Sequence, residues 1–136
     1  MTFRDTFIEV KDFMNLLLWV EGFDGRIPQP AILKPRPLWT GKQLMDMIIP
    51  NVNLMKKRAS KTKDTLTMCP EDDVVLIQKG QLISGILCKA TVGSSSGGLI
   101  HIIWNEHGPE MAKYFLSAAQ KVVNNWLLLH GHTVGV

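Results

Sequence analysis

The sequence has few cysteines and no long apolar run. Its 136 residues include two cysteines, Cys69 and Cys88. A disulfide framework or a zinc site would need more cysteines, or ligand pairs at short spacing, so we expect a reduced, intracellular setting. No stretch approaches the roughly 18 uninterrupted apolar residues of a transmembrane helix, and no basic head with a following apolar run opens the chain. Neither a membrane span nor a secretion signal is predicted, and no membrane partner is expected.

The sequence also lacks complete nucleotide-binding motifs. Residues 93–98 read GSSSGG and resemble a phosphate cradle, because serine hydroxyls and successive N–H groups before a helix bind anions. A P-loop, however, requires G-x-x-x-x-G-K followed by Ser or Thr, and Leu99 stands where its lysine would be. The Rossmann pattern G-x-G-x-x-G is missing too. The sequence therefore disfavours an independent nucleotide site.

No catalytic or metal-binding constellation is apparent in the sequence. The turn at residues 22–25, GFDG, holds a single aspartate, whereas a magnesium site gathers more than one oxygen ligand. His101 and His107 are spaced so that they do not share a helical face. His130 and His132 lie at a helix end. We expect these histidines to be structural, and we predict no catalytic residue, no metal ligand and no cofactor in this chain.

The composition is that of one ordinary globular domain spanning residues 1–136. Apolar residues make up 46% of the sequence and charged residues 20%, with a net charge of +3. These values are far from those of disordered chains. Because a helix-cap pattern follows Met1 directly and the chain stops at Val136 without a polar tail, we expect an excised fragment of a longer protein.

A helix is predicted to begin within the first ten residues. Thr2 with Asp5, and Thr6 with Glu9, have the spacing of capping boxes, so a short helix, a kink near Glu9 and then the main helix are expected. Apolar residues recur behind them at helical spacing and predict one buried stripe: Val10, Phe13, Met14, Leu17, Leu18 and Val20.

Four prolines within residues 27–38 predict an extended strap, because each ring fixes φ and restricts the residue before it. A short helix is predicted directly after the strap. Thr40 as N-cap and Gln43 three residues later form a capping box, and the helix is expected to run from about residue 41 to residue 48, before Pro50.

A basic run follows this helix, and without it the sequence has ten basic against twelve acidic residues, so the excess positive charge is concentrated in this run: Lys56, Lys57, Arg58, Lys61 and Lys63. The favoured interpretation is a solvated hairpin loop, and the alternative is contact with nucleic-acid phosphates. No aromatic residue is interleaved that would stack on bases. Lys42, near the start of the preceding helix, is a further candidate for an anion contact, although exposed lysines are usually solvated.

A small antiparallel sheet of three or four strands is predicted in the middle of the chain. Residues 74–78 and 81–87 flank a two-residue Lys-Gly turn, which is a hairpin signature. Residues 52–55 and 66–69 are candidate partner strands. One face of the sheet is expected to rest against the long C-terminal helix.

Two helices are predicted after the glycine-rich turn. The first covers residues 99–106 and is interrupted by Gly108. The second starts at Pro109, a residue favoured at the first helical position, and Gly131 is placed to cap its end. The predicted fold class is therefore α+β: a small antiparallel sheet with an N-terminal helix, a capped short helix after a Pro-rich strap, and a long C-terminal helix.

Three separated stretches resemble a known family. They read RDTFIE (residues 4–9), PAILKPRPLWTGKQ (residues 30–43) and KATVGSSSGGLIH (residues 89–101). In this order they resemble the pore domain of the largest subunit of eukaryotic DNA-directed RNA polymerase, most of all the polymerase II form. The resemblance covers nearly the whole chain.

The resemblance implies a non-catalytic module of a nuclear, DNA-binding nucleotidyltransferase that acts in transcription. Such a module lies beside the secondary channel, where nucleoside triphosphates enter, where the RNA 3′ end passes on backtracking, and where a transcript-cleavage factor inserts. Its partners would be the other polymerase subunits, other segments of the same subunit, and the DNA template and RNA of the intact complex. The family's Mg²⁺-binding loop, N-A-D-F-D-G-D, lies upstream of the resembling region. We therefore expect Mg²⁺ in the intact polymerase and no activity in this fragment alone.

The resemblance also implies site residues. Lys89 keeps the first position of a basic pair that faces the pore in the family, whereas Ala90 occupies the second. Lys89, Thr91, Gly97 and Gly98 are thereby expected on the path of the nucleotide or the RNA. Candidate phosphate contacts are Lys42 and the basic run: Lys56, Lys57, Arg58, Lys61 and Lys63.

An alternative function is a free-standing basic nucleic-acid-binding domain that uses residues 56–63. Such a domain should bind single-stranded RNA with a steep salt dependence. A pore module removed from its polymerase should bind RNA weakly or not at all.

Overall fold

The computed structural model describes residues 1–3, 5–57 and 73–135, and within these ranges it has an α+β fold of five strands and five helices. The strands are β1 (Phe7–Glu9), β2 (Leu38–Thr40), β3 (Leu54–Lys57), β4 (Val74–Gln78) and β5 (Gln81–Ser84). The helices are α1 (Val10–Leu17), α2 (Gly41–Asp46), α3 (Lys89–Val92), α4 (Leu99–His107) and α5 (Pro109–His130). The predicted fold class is confirmed.

The first sheet joins β1 and β2, and β1 lies where a short helix was predicted before the kink near Glu9. Ile8 pairs with Trp39 in an antiparallel register, and both side chains are buried. Helix α1 therefore begins only at Val10, and Glu9 precedes it with an extended backbone and no side-chain cap. The Thr2 hydroxyl accepts a hydrogen bond from the Leu87 N–H at 3.1 Å instead of capping a helix. Burial of the Ile8 side chain through long-range strand pairing outweighs the local capping signals here.

The second sheet has the strand order β3-β4-β5, and all its pairs are antiparallel. The predicted hairpin between β4 and β5 is confirmed, with positive φ at both Lys79 and Gly80. Strand β5 ends at Ser84 rather than at residue 87, because Gly85 has φ +90 and its backbone lies against Val74. The partner strand β3 starts two residues later than predicted, and the candidate strand at residues 66–69 lies outside the described residues.

The capping box of α2 is confirmed in both directions. The Gln43 N–H donates to Thr40 Oγ1 at 3.3 Å, and the Thr40 N–H donates to Gln43 Oε1 at 3.1 Å. The regular helix ends at Asp46, two residues before the predicted end, and the Ile48 N–H bonds the Met45 carbonyl in a tighter turn. The cap thus fixes where the helix begins.

The proline-rich strap is attached to β2 and α2. Trp39 Nε1 donates to the Pro28 carbonyl at 2.8 Å, and Gln43 Nε2 donates to the Gln29 carbonyl at 2.7 Å. Ile32 and Leu38 exchange backbone hydrogen bonds where the strap meets β2. These bonds satisfy strap carbonyls and attach the strap to both β2 and α2.

The long helix α5 has the predicted boundaries, with Pro109 in its first turn and Gly131 at φ +73 after its last residue. It packs mainly against α4 and α1, whereas the main helical neighbour of β5 is α2. The main helix beside the sheet is thus α2 and not α5, contrary to the expectation. Leu116 of α5 is 47% exposed.

One hydrophobic core connects these elements. Phe13 of α1 stacks on Trp39 of β2, with ring centroids 4.8 Å apart and planes 7° apart. Phe115 of α5 is fully buried in the same cluster. Within the described ranges, none of the helices has both the length and the apolar character needed to cross a membrane.

Candidate functional site

The glycine-serine segment (residues 93–98) connects α3 to α4 and is fixed by hydrogen bonds along its length. The Gly93 N–H donates to the Lys89 carbonyl at 2.8 Å, and Ser95 Oγ donates to the Ala90 carbonyl at 2.6 Å. The Gly98 N–H then donates to the Ser95 carbonyl at 3.1 Å. The segment is therefore a defined pair of turns anchored on α3.

Three glycines allow this compact path. A Cβ on Gly93 would collide with the Lys89 carbonyl oxygen, and a Cβ on Gly98 would lie 3.0 Å from the carbonyl oxygens of Ser95 and Thr91. Gly97 has φ +69, a conformation that most other residues adopt only with strain. Glycine is thus needed for close backbone approach at two positions and for a left-handed turn at the third.

Thr91 lies in the interior beneath the segment. It is 1% exposed, and its Oγ1 accepts a hydrogen bond from the Cys88 N–H at 3.2 Å. This contact caps the start of α3. Of the four residues expected on the nucleotide path, Lys89 and Gly97 are exposed, whereas Thr91 and Gly98 are buried and shape the backbone.

Lys56 reaches the glycine-serine segment from β3. Its Nζ donates to Ser95 Oγ at 3.1 Å and to the Ser96 carbonyl at 3.1 Å. The structure therefore brings together Lys56 and the segment beside Lys89, which are far apart in the sequence. No local sequence pattern predicts this contact, because it depends on how β3 lies relative to α3 and α4.

The other candidate phosphate contacts are not brought to this site. Lys42 lies in the first turn of α2, and Lys57 is exposed at the end of β3. Within the described parts of the chain, no hydrogen bond or ion pair links either lysine to the glycine-serine segment. The remaining three candidates lie outside the described residues: Arg58, Lys61 and Lys63.

No carboxylate side chain occurs in the stretch of sequence that contains the glycine-serine segment. The sequence from residue 74 to residue 105 contains no Asp or Glu, while it includes Lys79, Lys89 and His101. A shallow cavity of about 200 Å³ beside the segment is lined by Ser94, Ser95, His101 and Trp104, among others, and Trp104 is 56% exposed. The cavity lining thus includes the Ser94 hydroxyl and the Trp104 ring, and the Lys56 ammonium is bonded to the adjoining Ser95.

Comparison with known proteins identifies the family. The model of the family described as RNA polymerase Rpb1, domain 3, matches residues 1–136. The chain belongs to this family. It is also 40% identical over 136 residues to DNA-directed RNA polymerase II subunit RPB1-B of Trypanosoma brucei brucei. The matched region covers 100% of this chain and 7% of that protein. The chain thus spans a small part of the relative it matches, and the resemblance drawn from its three motifs is confirmed.

The residues of this Rpb1 domain 3 member do not fit a magnesium ion at the GFDG turn. Its single carboxylate, Asp24, accepts a hydrogen bond from the Arg26 N–H at 3.0 Å and forms an ion pair with Arg26 Nε at 3.8 Å. The neighbouring Glu21 is paired with Lys121. In the described portion of the chain, no group of three or more His, Cys, Asp or Glu side chains is arranged to hold a metal ion.

The histidines lie apart from the glycine-serine segment, with the exception of His101. His107 Nε2 is 3.0 Å from the Asn51 carbonyl oxygen, and His130 stacks on Trp126 with ring centroids 4.5 Å apart. The His107 contact ties the end of α4 to residue 51, whereas the His130 contact lies within α5.

One titratable group was missed by sequence reasoning. Asp46, the last residue of α2, accepts a hydrogen bond through Oδ1 from the Leu82 N–H at 2.5 Å. Burial raises the pKa of this carboxyl to about 6, and the Leu82 hydrogen bond opposes the shift. The group lies on a separate cavity of about 650 Å³ that is also lined by Phe23, Gln43 and Tyr114. No sequence pattern signals the burial, because β5 supplies the donor from 36 residues away.

Proposed function

We propose that this chain is a non-catalytic module of the largest subunit of a nuclear DNA-directed RNA polymerase and acts in transcription. In this proposal it forms part of the wall of the secondary channel, with residues 89–98 facing the nucleoside triphosphates that enter and the RNA 3′ end that passes on backtracking. Family membership and the likeness to a polymerase II subunit over the whole chain support this assignment.

The proposal places the chemistry elsewhere in the polymerase. Mg²⁺ would be held by another part of the subunit, since the GFDG turn of this chain does not fit it. Other polymerase subunits and other segments of the same subunit would pack against the module. DNA template, RNA, nucleoside triphosphates and a transcript-cleavage factor would be partners of the intact complex.

The observation that carries the proposal is the exposed Lys89 beside the anchored glycine-serine segment, in a stretch of sequence without Asp or Glu. A channel wall for polyanions must lack carboxylates that would repel phosphates, and residues 74–105 meet this condition. It must also release its cargo, and one exposed ammonium contributes only about 0.2 to 1 kcal/mol to such a contact. Lys89 would therefore touch a passing phosphate briefly.

The remaining path residues have backbone roles in this proposal. Gly97 and Gly98 allow the backbone to turn without a side chain that would narrow the channel. Thr91 maintains the start of α3 and hence the place from which Lys89 projects.

The test uses the purified polymerase with Lys89→Ala in this chain. Lys11→Ala, which removes an exposed lysine of α1, is the charge-matched control. We expect Lys89→Ala to raise the KM for nucleoside triphosphate by about 1.4- to 5-fold. The value of kcat should be unchanged, because an interaction that stabilises the ground and transition states equally alters KM alone when it is removed.

Two outcomes would contradict the proposed function. In the first, the KM for nucleoside triphosphate does not change with Lys89→Ala. In the second, it rises equally with Lys11→Ala, which would show a general effect of charge.

A further inference from the structure

The Lys56 ammonium makes two contacts with the glycine-serine segment. Its Nζ is 3.1 Å from Ser95 Oγ and 3.1 Å from the Ser96 carbonyl oxygen. An ammonium group is a donor with three protons and no acceptor. Two of its protons are thus directed at neighbouring residues of one turn, which restrains the turn at two points.

The Ser95 hydroxyl passes this restraint on to α3. A hydroxyl has one proton to donate, and that of Ser95 goes to the Ala90 carbonyl at 2.6 Å. The lone pairs of Ser95 Oγ are then available to Lys56. The result is a directed chain of hydrogen bonds from the Lys56 ammonium through the Ser95 hydroxyl to the backbone of α3, and such chains strengthen their members.

The same backbone carries Lys89. Its carbonyl accepts the Gly93 N–H at 2.8 Å, so the first two carbonyls of α3 both bond the glycine-serine segment. Restraining the segment therefore restrains the base from which the Lys89 side chain projects.

We propose that Lys56 is a positioning residue for Lys89: its ammonium, bonded to Ser95 and Ser96, holds the glycine-serine segment and α3 in the arrangement that presents Lys89 to phosphate. This inference rests on the proposed function, since it assigns a role in the same site. It differs from the sequence-based expectation that Lys56 contacts phosphate itself.

The two roles of Lys56 predict different couplings. A direct phosphate contact by Lys56 would act independently of Lys89. The fold-change in KM from removing Lys56 would then multiply with the fold-change from removing Lys89. A positioning residue acts through Lys89, so its removal has no further effect once Lys89 is gone. Ser95→Ala separates the roles further, because it breaks the hydrogen-bond chain without removing a charge.

The experiment uses the purified polymerase with single and double variants of this chain. Lys56→Met keeps the side-chain stem and removes the ammonium, Lys56→Arg keeps the charge and the donors, and Lys11→Met is the charge-matched control. Hydrogen exchange measured by mass spectrometry on the peptide containing residues 89–98 reports the restraint directly. The KM for nucleoside triphosphate reports its consequence.

We expect faster exchange of this peptide in Lys56→Met and in Ser95→Ala, with Lys56→Arg and Lys11→Met close to the unchanged protein. The KM should rise by about 1.5- to 3-fold in Lys56→Met and in Ser95→Ala, less than in Lys89→Ala. In the Lys89→Ala background, adding Lys56→Met should change the KM by less than about 1.3-fold.

The positioning role is overturned if Lys56→Met leaves the exchange of this peptide unchanged, or if its effect on the KM multiplies in full with that of Lys89→Ala. If Lys89→Ala itself leaves the KM unchanged, the proposed function fails instead. The exchange measurement then still decides whether Lys56 holds the segment.

Discussion

The carboxyl of Asp46 makes the stability of this fold depend on pH. It is half-buried, and it accepts a hydrogen bond from the Leu82 N–H. Within the described residues it forms no ion pair. Desolvation raises its pKa from 3.8 to about 6, against the opposing effect of the Leu82 hydrogen bond. Ionisation is therefore less favourable in the folded chain than in the unfolded chain.

The sign and size of the effect follow from linkage. Between about pH 4 and pH 6 the folded state binds more protons than the unfolded state, so stability falls as pH rises through this range. A pKa that rises from 3.8 to about 6 on folding lowers the free energy of unfolding by at most about 3 kcal/mol. Because the side chain is partly exposed, solvent screening reduces the expected penalty to about 1 to 2 kcal/mol.

Asp46→Asn should remove this penalty while keeping an oxygen to accept the Leu82 N–H. We expect the variant to be more stable than the unchanged chain by about 1 to 2 kcal/mol near pH 8, with the difference close to zero near pH 4. Urea unfolding of the 136-residue chain, followed by tryptophan fluorescence, measures both values. Asp5→Asn, at an exposed position, is the control and should leave stability nearly unchanged at both pH values.

Either of two results would refute this reasoning. A stability difference that is the same near pH 4 and near pH 8 would show that Asp46 does not change its charge on folding as described. A variant that is less stable near pH 8 would show that the ionised carboxylate is stabilised by its surroundings.

Two further predictions concern the fold. Thr40→Ala should lower the free energy of unfolding by about 1 kcal/mol, because the Gln43 N–H loses its cap acceptor; an unchanged urea midpoint would reject the cap. Phe115→Ala should cost about 3 to 5 kcal/mol, since its ring is fully buried. Leu116→Ala, one residue along the same helix and 47% exposed, should cost much less, and equal losses in the two variants would contradict the packing of α5.

Features with local causes were predictable from the sequence. The capping box of α2 uses residues three positions apart, and the β4–β5 turn and the ends of α5 depend on glycine and proline at single positions. Each of these signals acts within a few residues. Their predicted positions are accordingly close to those in the structure.

Features that depend on distant residues were not predictable. Residues 7–9 form a strand because Ile8 pairs with Trp39, although the preceding threonines match helix caps. Helix α2 rather than α5 is the main helical neighbour of β5. The spacing of apolar residues indicates that a helix has a buried face, but it does not indicate which element packs against that face.

The candidate site shows the same division. Its glycines were singled out from the sequence because they lie in one short motif, and Lys89 was proposed from the family resemblance of that motif. The Lys56 contact with Ser95 was not predicted, since it joins residues 39 positions apart. The raised pKa of Asp46 likewise requires the donor from Leu82 and the burial that only the folded chain provides.

Photocrosslinking from the RNA 3′ end tests the central claim most directly. A polymerase carrying this chain would be halted, backtracked by a few nucleotides on an RNA that ends in a photoreactive thiouridine, irradiated and digested for mass spectrometry. If the chain lines the channel, the RNA 3′ end should crosslink to the peptide containing residues 89–98, and it should do so less in the complex that is not backtracked. Crosslinks found only in other parts of the polymerase would contradict the account.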